Sequence, residues 1–211
     1  MAARAASDLA ILGAPPELLG VAGRVIEDEV RHVGVCEHVL RAMGRDVHAE
    51  CAWKPPASAS SPGARGDALA RLLVVGFVVG ETLSEASFAC VLAHAGEPLV
   101  RWALTELLRD ESRHWAFGAD AAAWILRDAS SADRRAIWPE CVAMIEGVES
   151  RLGGPVGREL LAREARRSDW EQRAHYGLLR ASVACGAIVD AIPRWLVPRL
   201  APLGVPEGDG T

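Results

Sequence analysis

Apolar positions in this chain recur in steps of four and three over long stretches, and no stretch alternates apolar with polar for the length of a strand. That rhythm belongs to helices that bury one face. From Glu17 to Met43 the inward seam reads Leu18, Ala22, Val25, Glu29, His32, Cys36, Val39 and Met43. Residues 97–127 repeat the rhythm as Val100, Leu104, Leu107, Glu111, His114, Gly118, Ala121 and Ile125. A third long helix is predicted over 67–95, with Ala70, Val74, Phe77, Glu81, Ser84, Phe88 and Val91 on one stripe. A short helix over 2–12 precedes them, closed by Gly13 and the Pro15-Pro16 turn. Further helices are expected over 132–151, opened by Ser130-Ser131 and Asp133, and over 157–190, with Pro193 and Pro198 fraying the end. Residues 45–66, rich in Pro, Ser and Gly, read as a long crossover joining two helices that run parallel. The expectation is one all-α domain over 1–200 and a disordered tail over 201–211.

The polar residues on these seams carry the chemistry. Titratable groups in the middle of a buried stripe are costly unless paired or metal-bound. Two of the seams contain the same phrase, Asp-Glu-x-Arg-His, as Asp28-Glu29-Val30-Arg31-His32 and Asp110-Glu111-Ser112-Arg113-His114. Helical residues three apart share a face, so each copy aims one carboxylate and one imidazole the same way. A lone ExxH is usually a surface pair. Two copies of the longer phrase, both on seams, with Glu81 on a third, point to a metal site. Three carboxylates (Glu29, Glu81, Glu111) and two imidazoles (His32, His114) make a poor zinc site and a good one for two iron or manganese ions. Asp28 and Asp110 can accept the outer N–H of the histidines, with Arg31 and Arg113 balancing that aspartate layer.

Composition narrows the setting. The net charge of −5 gives no electrostatic case for nucleic acid or an anionic membrane. Five scattered cysteines without a CxxC pair argue against a disulfide framework and fit a reducing compartment. There is no convincing signal peptide, since Asp8 interrupts the only apolar stretch near Met1, and the run Leu72–Gly80 is too short to span a bilayer. A cytoplasmic protein is expected.

The two DExRH segments, Val79-Gly80-Glu81-Thr82-Leu83 and the turn Gly13-Ala14-Pro15-Pro16-Glu17-Leu18 together resemble ferritin-like di-iron carboxylate proteins. The DExRH form is similar to that of bacterial multicomponent di-iron monooxygenases, and the ensemble resembles small ferritin-like proteins of GC-rich bacteria. The resemblance covers about residues 5–128 well and the remainder loosely. It implies a ferritin-like four-helix bundle with a shortened first helix and additional C-terminal helices. It further implies that Glu29 and Glu111 bridge or chelate, that His32 and His114 are terminal ligands, and that Glu81 is a carboxylate ligand. One departure matters: the family's first-helix glutamate has no counterpart, its expected place falling a few residues before Met1. Either an upstream start supplies it or one iron position is incomplete. Asp8, the only acid on that helix, lies too near the turn to reach the metals. Glu85 and Glu146 could stand in, although a solvated face is the plainer reading of both.

Three function classes follow. The first is an O2-activating di-iron oxidase or hydroxylase with a small organic substrate and an external electron donor, since no cysteine cluster provides a built-in one. The second is a ferroxidase or iron-handling protein, and the third a degenerate scaffold with an incomplete site. A tRNA-modifying hydroxylase ranks lower, because its only support would be a local patch around Arg163, Arg166, Arg167 and Arg173. The cofactor expected is two iron ions, with manganese the alternative, and no catalytic residue beyond the metal centre. The expected assembly is a homodimer without nucleic acid or membrane. Trp102, Trp115 and Trp124 read as packing before electron relays, and Tyr176 lies outside the bundle helices. Cys36 and Gly118, each one turn beyond a histidine, leave space or fill core.

Overall fold

The computed structural model describes residues 1–45, 62–153 and 155–205. Among them every regular element is helical and no strand occurs. The amphipathic seams fold into α1 (Ala2–Ile11), α2 (Pro16–Ala42) and α5 (Pro98–Ile125), with bounds within two residues of those the periodicity predicts. Pro16 and Pro98 each open their helix at a position where the missing N–H is no loss. Glu97 caps α5, its carboxylate accepting from the Val100 amide at 2.7 Å. Gly13 and Gly44, both in the left-handed region, turn the chain out of α1 and α2.

Residues 62–94 form one continuous helix with an unusual middle. An α-helical turn set, α3 (Pro62–Arg71), passes into ten residues of π-helix, Leu72–Glu81, and returns to α-helix as α4 (Thr82–His94). The helix therefore begins five residues before the predicted start at 67. The crossover expected over 45–66 lies mostly outside the described residues, and its last five are already helix. At the return to α geometry the Thr82 hydroxyl donates to the Val78 carbonyl at 2.5 Å, absorbing one group that the wider π turns misalign.

α1 packs on α2 and α3, α2 on α5, and α5 runs along both the π segment and α4. The apolar side chains between them make one core, centred on Leu9, Val25, Leu73, Phe77, Val78 and Phe117. Gly118 lies where α5 comes nearest the π segment. A Cβ there would collide with the Phe77 side chain and crowd the Val78 amide and Leu73 carbonyl. Its smallness serves helix contact and leaves no void.

The C-terminal third departs from expectation. The helix predicted over 132–151 is two: α6 (Ser131–Arg135), with a capping box between Ser130 and Asp133, and α7 (Trp138–Gly153), restarted at Pro139 because proline cannot continue the preceding turn. The helix predicted over 157–190 is three, α8 (Pro155–Ala165), α9 (Trp170–His175) and α10 (Ala181–Ala191), with Gly177 in the left-handed region between the last two. Pro193 and Pro198 do not fray the chain. They sit at the starts of a short π turn (Ile192–Leu196) and of α11 (Val197–Leu200), where a missing N–H is tolerated. The expected tail over 201–211 is corrected for its first five residues, because Leu203 and Val205 join the core and the Arg134 guanidinium donates to the Leu203 carbonyl at 2.8 Å. Residues 206–211 lie outside the described set.

Two stretches, Gly63–His94 and Ala181–Leu203, are long and apolar enough to cross a bilayer by length and composition alone. The apolar run at Leu72–Gly80 is thus the middle of a much longer helix. Half of that helix's most apolar window is buried inside the fold, and a core helix passes the same test.

Candidate metal centre

α2 and α5 face each other with their repeated phrases side by side, and the end of the π segment brings Glu81 to the same place. All nine candidate residues converge here. Asp28, His32, Glu81, Asp110, Glu111 and His114 are buried, and Glu29 is half-buried at the rim. Six buried ionisable groups could not share this core without neutralisation, and the arrangement supplies it in two layers.

The outer layer is crossed between the helices. Asp110 of α5 lies 3.2 Å from His32 Nε2 of α2 and accepts from Arg31 of α2. Asp28 of α2 accepts from Arg113 of α5 and lies 3.5 Å from His114 Nε2. Arg31 also reaches Asp28 at 3.1 Å, and Arg113 lies 3.5 Å from Asp110. Two buried carboxylates and two guanidinium groups thus make a neutral cluster, each helix supplying the aspartate nearest the other helix's histidine; Asp110 hydrogen-bonds His32, while His114 Nε2, 3.5 Å from Asp28, has no hydrogen-bond partner. Burial pushes the Asp110 carboxyl up, but His32, Arg31 and Arg109 outweigh it and hold its pKa below the usual carboxylate range.

With Nε2 turned toward Asp28, the His114 imidazole presents Nδ1 to the inner layer. The ring centroids of His32 and His114 are 5.4 Å apart and tilted by 42°, too steep for stacking and open toward a common space. His114 Nδ1 is 3.7 Å from Glu29 Oε1 and has no hydrogen-bond partner, and Glu111 Oε2 is equally orphaned. Ligand atoms of His32, Glu111 and His114 lie within 4.8 Å of one another, as do those of Glu29, Glu81 and His114. The two triads share His114.

Electrostatics mark the same place. Burial and the neighbouring Glu29 push the Glu81 carboxyl up to about 7, against a hydrogen bond with Glu111 that lowers it. Burial and Glu81 push Glu111 up to about 9. Protein groups alone leave Glu111 holding its proton at neutral pH and Glu81 near its midpoint. Burial also lowers the His114 pKa, outweighing the pull of Glu29 and Asp28, so its imidazole favours the neutral, ligand-competent form. A buried acid pair and an unpartnered neutral imidazole form a donor set that a divalent cation would satisfy.

The other acids considered as ligands are engaged elsewhere. Asp8 is held by Arg65 at 2.5 Å and lies 3.7 Å from Arg4. Glu85 pairs with Arg199 at 2.8 Å, and Glu146 is exposed on α7. Arg199 was invisible to seam arguments. It comes from α11, donates to Thr82 Oγ1 at 2.9 Å and stacks 4.0 Å above the Trp115 ring, so the C-terminal helices brace the start of α4 and α5 next to His114. No sequence period links residue 199 to residue 115. Trp102 is instead half-exposed against His38, and Trp124 packs on the core.

On the α1 side the centre opens to a groove of about 600 Å³. Glu29, His32, Glu81 and Glu111 form its polar floor, and Val33, Phe88 and Leu107 stand among its apolar walls. Cys36 lies exposed in the same groove, away from the core its seam position predicts. No family model, curated protein or solved structure matches this chain.

Proposed function

We propose that this protein is a ferritin-like metal carboxylate protein that holds two iron ions between α2, α5 and the end of the π segment, and that it works as an O2-activating oxidase or hydroxylase on a small substrate. The observation that carries the reading is the crossed aspartate–histidine layer behind a cluster of buried ligand atoms with no protein partner. His32, Glu111 and His114 would hold the buried ion, and Glu29 and Glu81 the ion nearer the groove. Ferrous ions at such a site supply electrons and open positions to dioxygen.

The chain's own residues have distinct tasks. Asp110 keeps the Nε2 of His32 occupied, which fixes that ring's tautomer and orientation, and Asp28 lies close enough to the Nε2 of His114 to orient it in the same way once a ligand is bound. Arg31 and Arg113 neutralise those aspartates, so the layer adds no net charge beneath the ions. Glu111 releases its proton when a cation arrives. Glu29, half-buried at the groove rim, would be the ligand most exposed to an incoming molecule. The apolar groove walls limit water around the centre and leave room for a small molecule beside it. Reducing equivalents come from an external donor.

The chain supplies three carboxylates to the centre rather than four, and this favours a second reading in which only the buried triad fills and the protein handles iron without an organic substrate. Iron analysis of protein reconstituted with ferrous iron under anaerobic conditions, with an absorption spectrum after exposure to air, tests both. Two irons per chain support the first reading and one supports the second. None would overturn the metal assignment.

A further inference from the structure

We propose that Glu85 is the fourth carboxylate of the centre, held in reserve by Arg199 and released to the ion beside Glu81 when the site fills. The inference rests on the metal reading above and supplies the acidic ligand which that reading lacks. Glu29, Glu81 and Glu111 leave two divalent ions with one positive charge uncompensated, and one further carboxylate cancels it.

Glu85 stands beside the centre. Glu81 ends the π segment, and Glu85 lies four residues on, in the first turn of α4. Residues four apart on a helix are neighbours on one face, with Cβ atoms about 5–6 Å apart. Toward α5 the charge of Glu85 reaches Glu111, where it adds to burial and Glu81 in pushing that carboxyl up. Glu85 therefore has a carboxylate of the centre on each helix within reach. Asp8, by contrast, is held on α1 by Arg65, and Glu146 is exposed on α7.

The contact that holds Glu85 is incomplete. Arg199 Nη1 lies 2.8 Å from Glu85 Oε2, but that nitrogen donates its hydrogen bond to Thr82 Oγ1 at 2.9 Å. Oε2 is buried and has no hydrogen-bond partner. The guanidinium balances its charge and leaves its lone pairs unused, which is the condition of a ligand atom awaiting a cation. Arg199 does not depend on Glu85 in return. Thr82 and the Trp115 ring hold it, and it lines an opening of about 570 Å³ from which its charge can be hydrated. Filling the site is then an exchange of cations. The Glu85 carboxylate leaves a guanidinium for a divalent ion of twice the charge, and no proton or electron is transferred.

Titration of the metal-free full chain with Mn²⁺ alone, the free ion being followed by its paramagnetic resonance, tests the exchange. The parent is expected to take up two ions. Glu85→Gln should weaken the second by about tenfold or more, because the amide keeps the size and loses the charge. Arg199→Gln should act the other way and tighten the second ion by about tenfold, since the carboxylate no longer has a cation to leave. An ion pair that merely braces two helices predicts no such opposition of sign. Unchanged affinities in Glu85→Gln overturn the proposal, as does a weaker second ion in an Arg199→Gln variant that keeps the parent's helical circular dichroism. If Arg199→Gln does not fold, Glu85→Gln decides alone. The two readings fail separately: two equally tight ions in parent and Glu85→Gln defeat only the role of Glu85. One ion in the parent also overturns that role and leaves the single-ion reading standing, and no ion defeats the metal assignment together with it.

Discussion

Each DExRH phrase divides its labour residue by residue. Glutamate and histidine at i and i+3 face inward, and aspartate and arginine one position earlier form the neutral layer behind them. Replacing His32 and His114 together by alanine removes both imidazoles from one triad and the shared one from the other, and iron binding should be lost; stoichiometric iron in the double variant would refute the site. Asp110→Asn should act more gently, because the amide keeps the shape but removes the charge that balances Arg31 and pairs His32. Iron affinity is expected to fall by about tenfold to a hundredfold, measured by competition with a chelator, while the metal-free fold persists. That both phrases turn a carboxylate and an imidazole toward the same core was legible from spacing alone. Which aspartate serves which histidine was not. Within one helix Asp28 and His32 are four apart and could pair locally, yet each histidine finds the aspartate of the other helix because the crossing of α2 and α5 brings those atoms nearer.

At the scale of elements, the long seams predicted their helices because burial of one face outweighs local propensity. The π segment was not readable from that rhythm. Its run of valines, glycines and phenylalanine is apolar on every side, so no face stood out to reveal the added residue per turn. Its contact with α5 depends on Gly118, and Gly118→Ala should destabilise the fold by about 1–3 kcal/mol through overpacking against Phe77, as read from denaturant midpoints. The C-terminal helices carry load that their sequence concealed. Leu196, Leu200 and Leu203 are all buried, and Leu200→Ala is expected to cost about 2–5 kcal/mol. A loss below about 0.5 kcal/mol would mean that this segment is not part of the core.

For the molecule as a whole, the buried acids tie stability to pH. Glu81 and Glu111 have native values raised from 4.5 to about 7 and about 9, so the native state keeps protons that the unfolded chain releases. Their contribution is fully present below about 4.5 and is lost as pH rises through those native values. Metal-free protein should therefore become less stable from about pH 5 to about pH 9, judged by chemical denaturation. Saturating ferrous or manganese ions should flatten or reverse that slope, since the cation replaces the protons. A metal-free protein that gains stability over the same window would show that these acids ionise freely.

Helix content, the inward direction of Glu29, His32, Glu81, Glu111 and His114, and the repeated phrase were determined by sequence alone. Period and spacing are local properties, and a helix reports them wherever it lies. Tertiary structure decided what depends on distance between segments. It crossed the aspartate layer, sent Asp8 to Arg65, engaged Glu85 with Arg199, and left Cys36 in an open groove where a seam position implied burial. The reason is physical: a seam states which way a side chain points, while burial and partnership require another helix to be there.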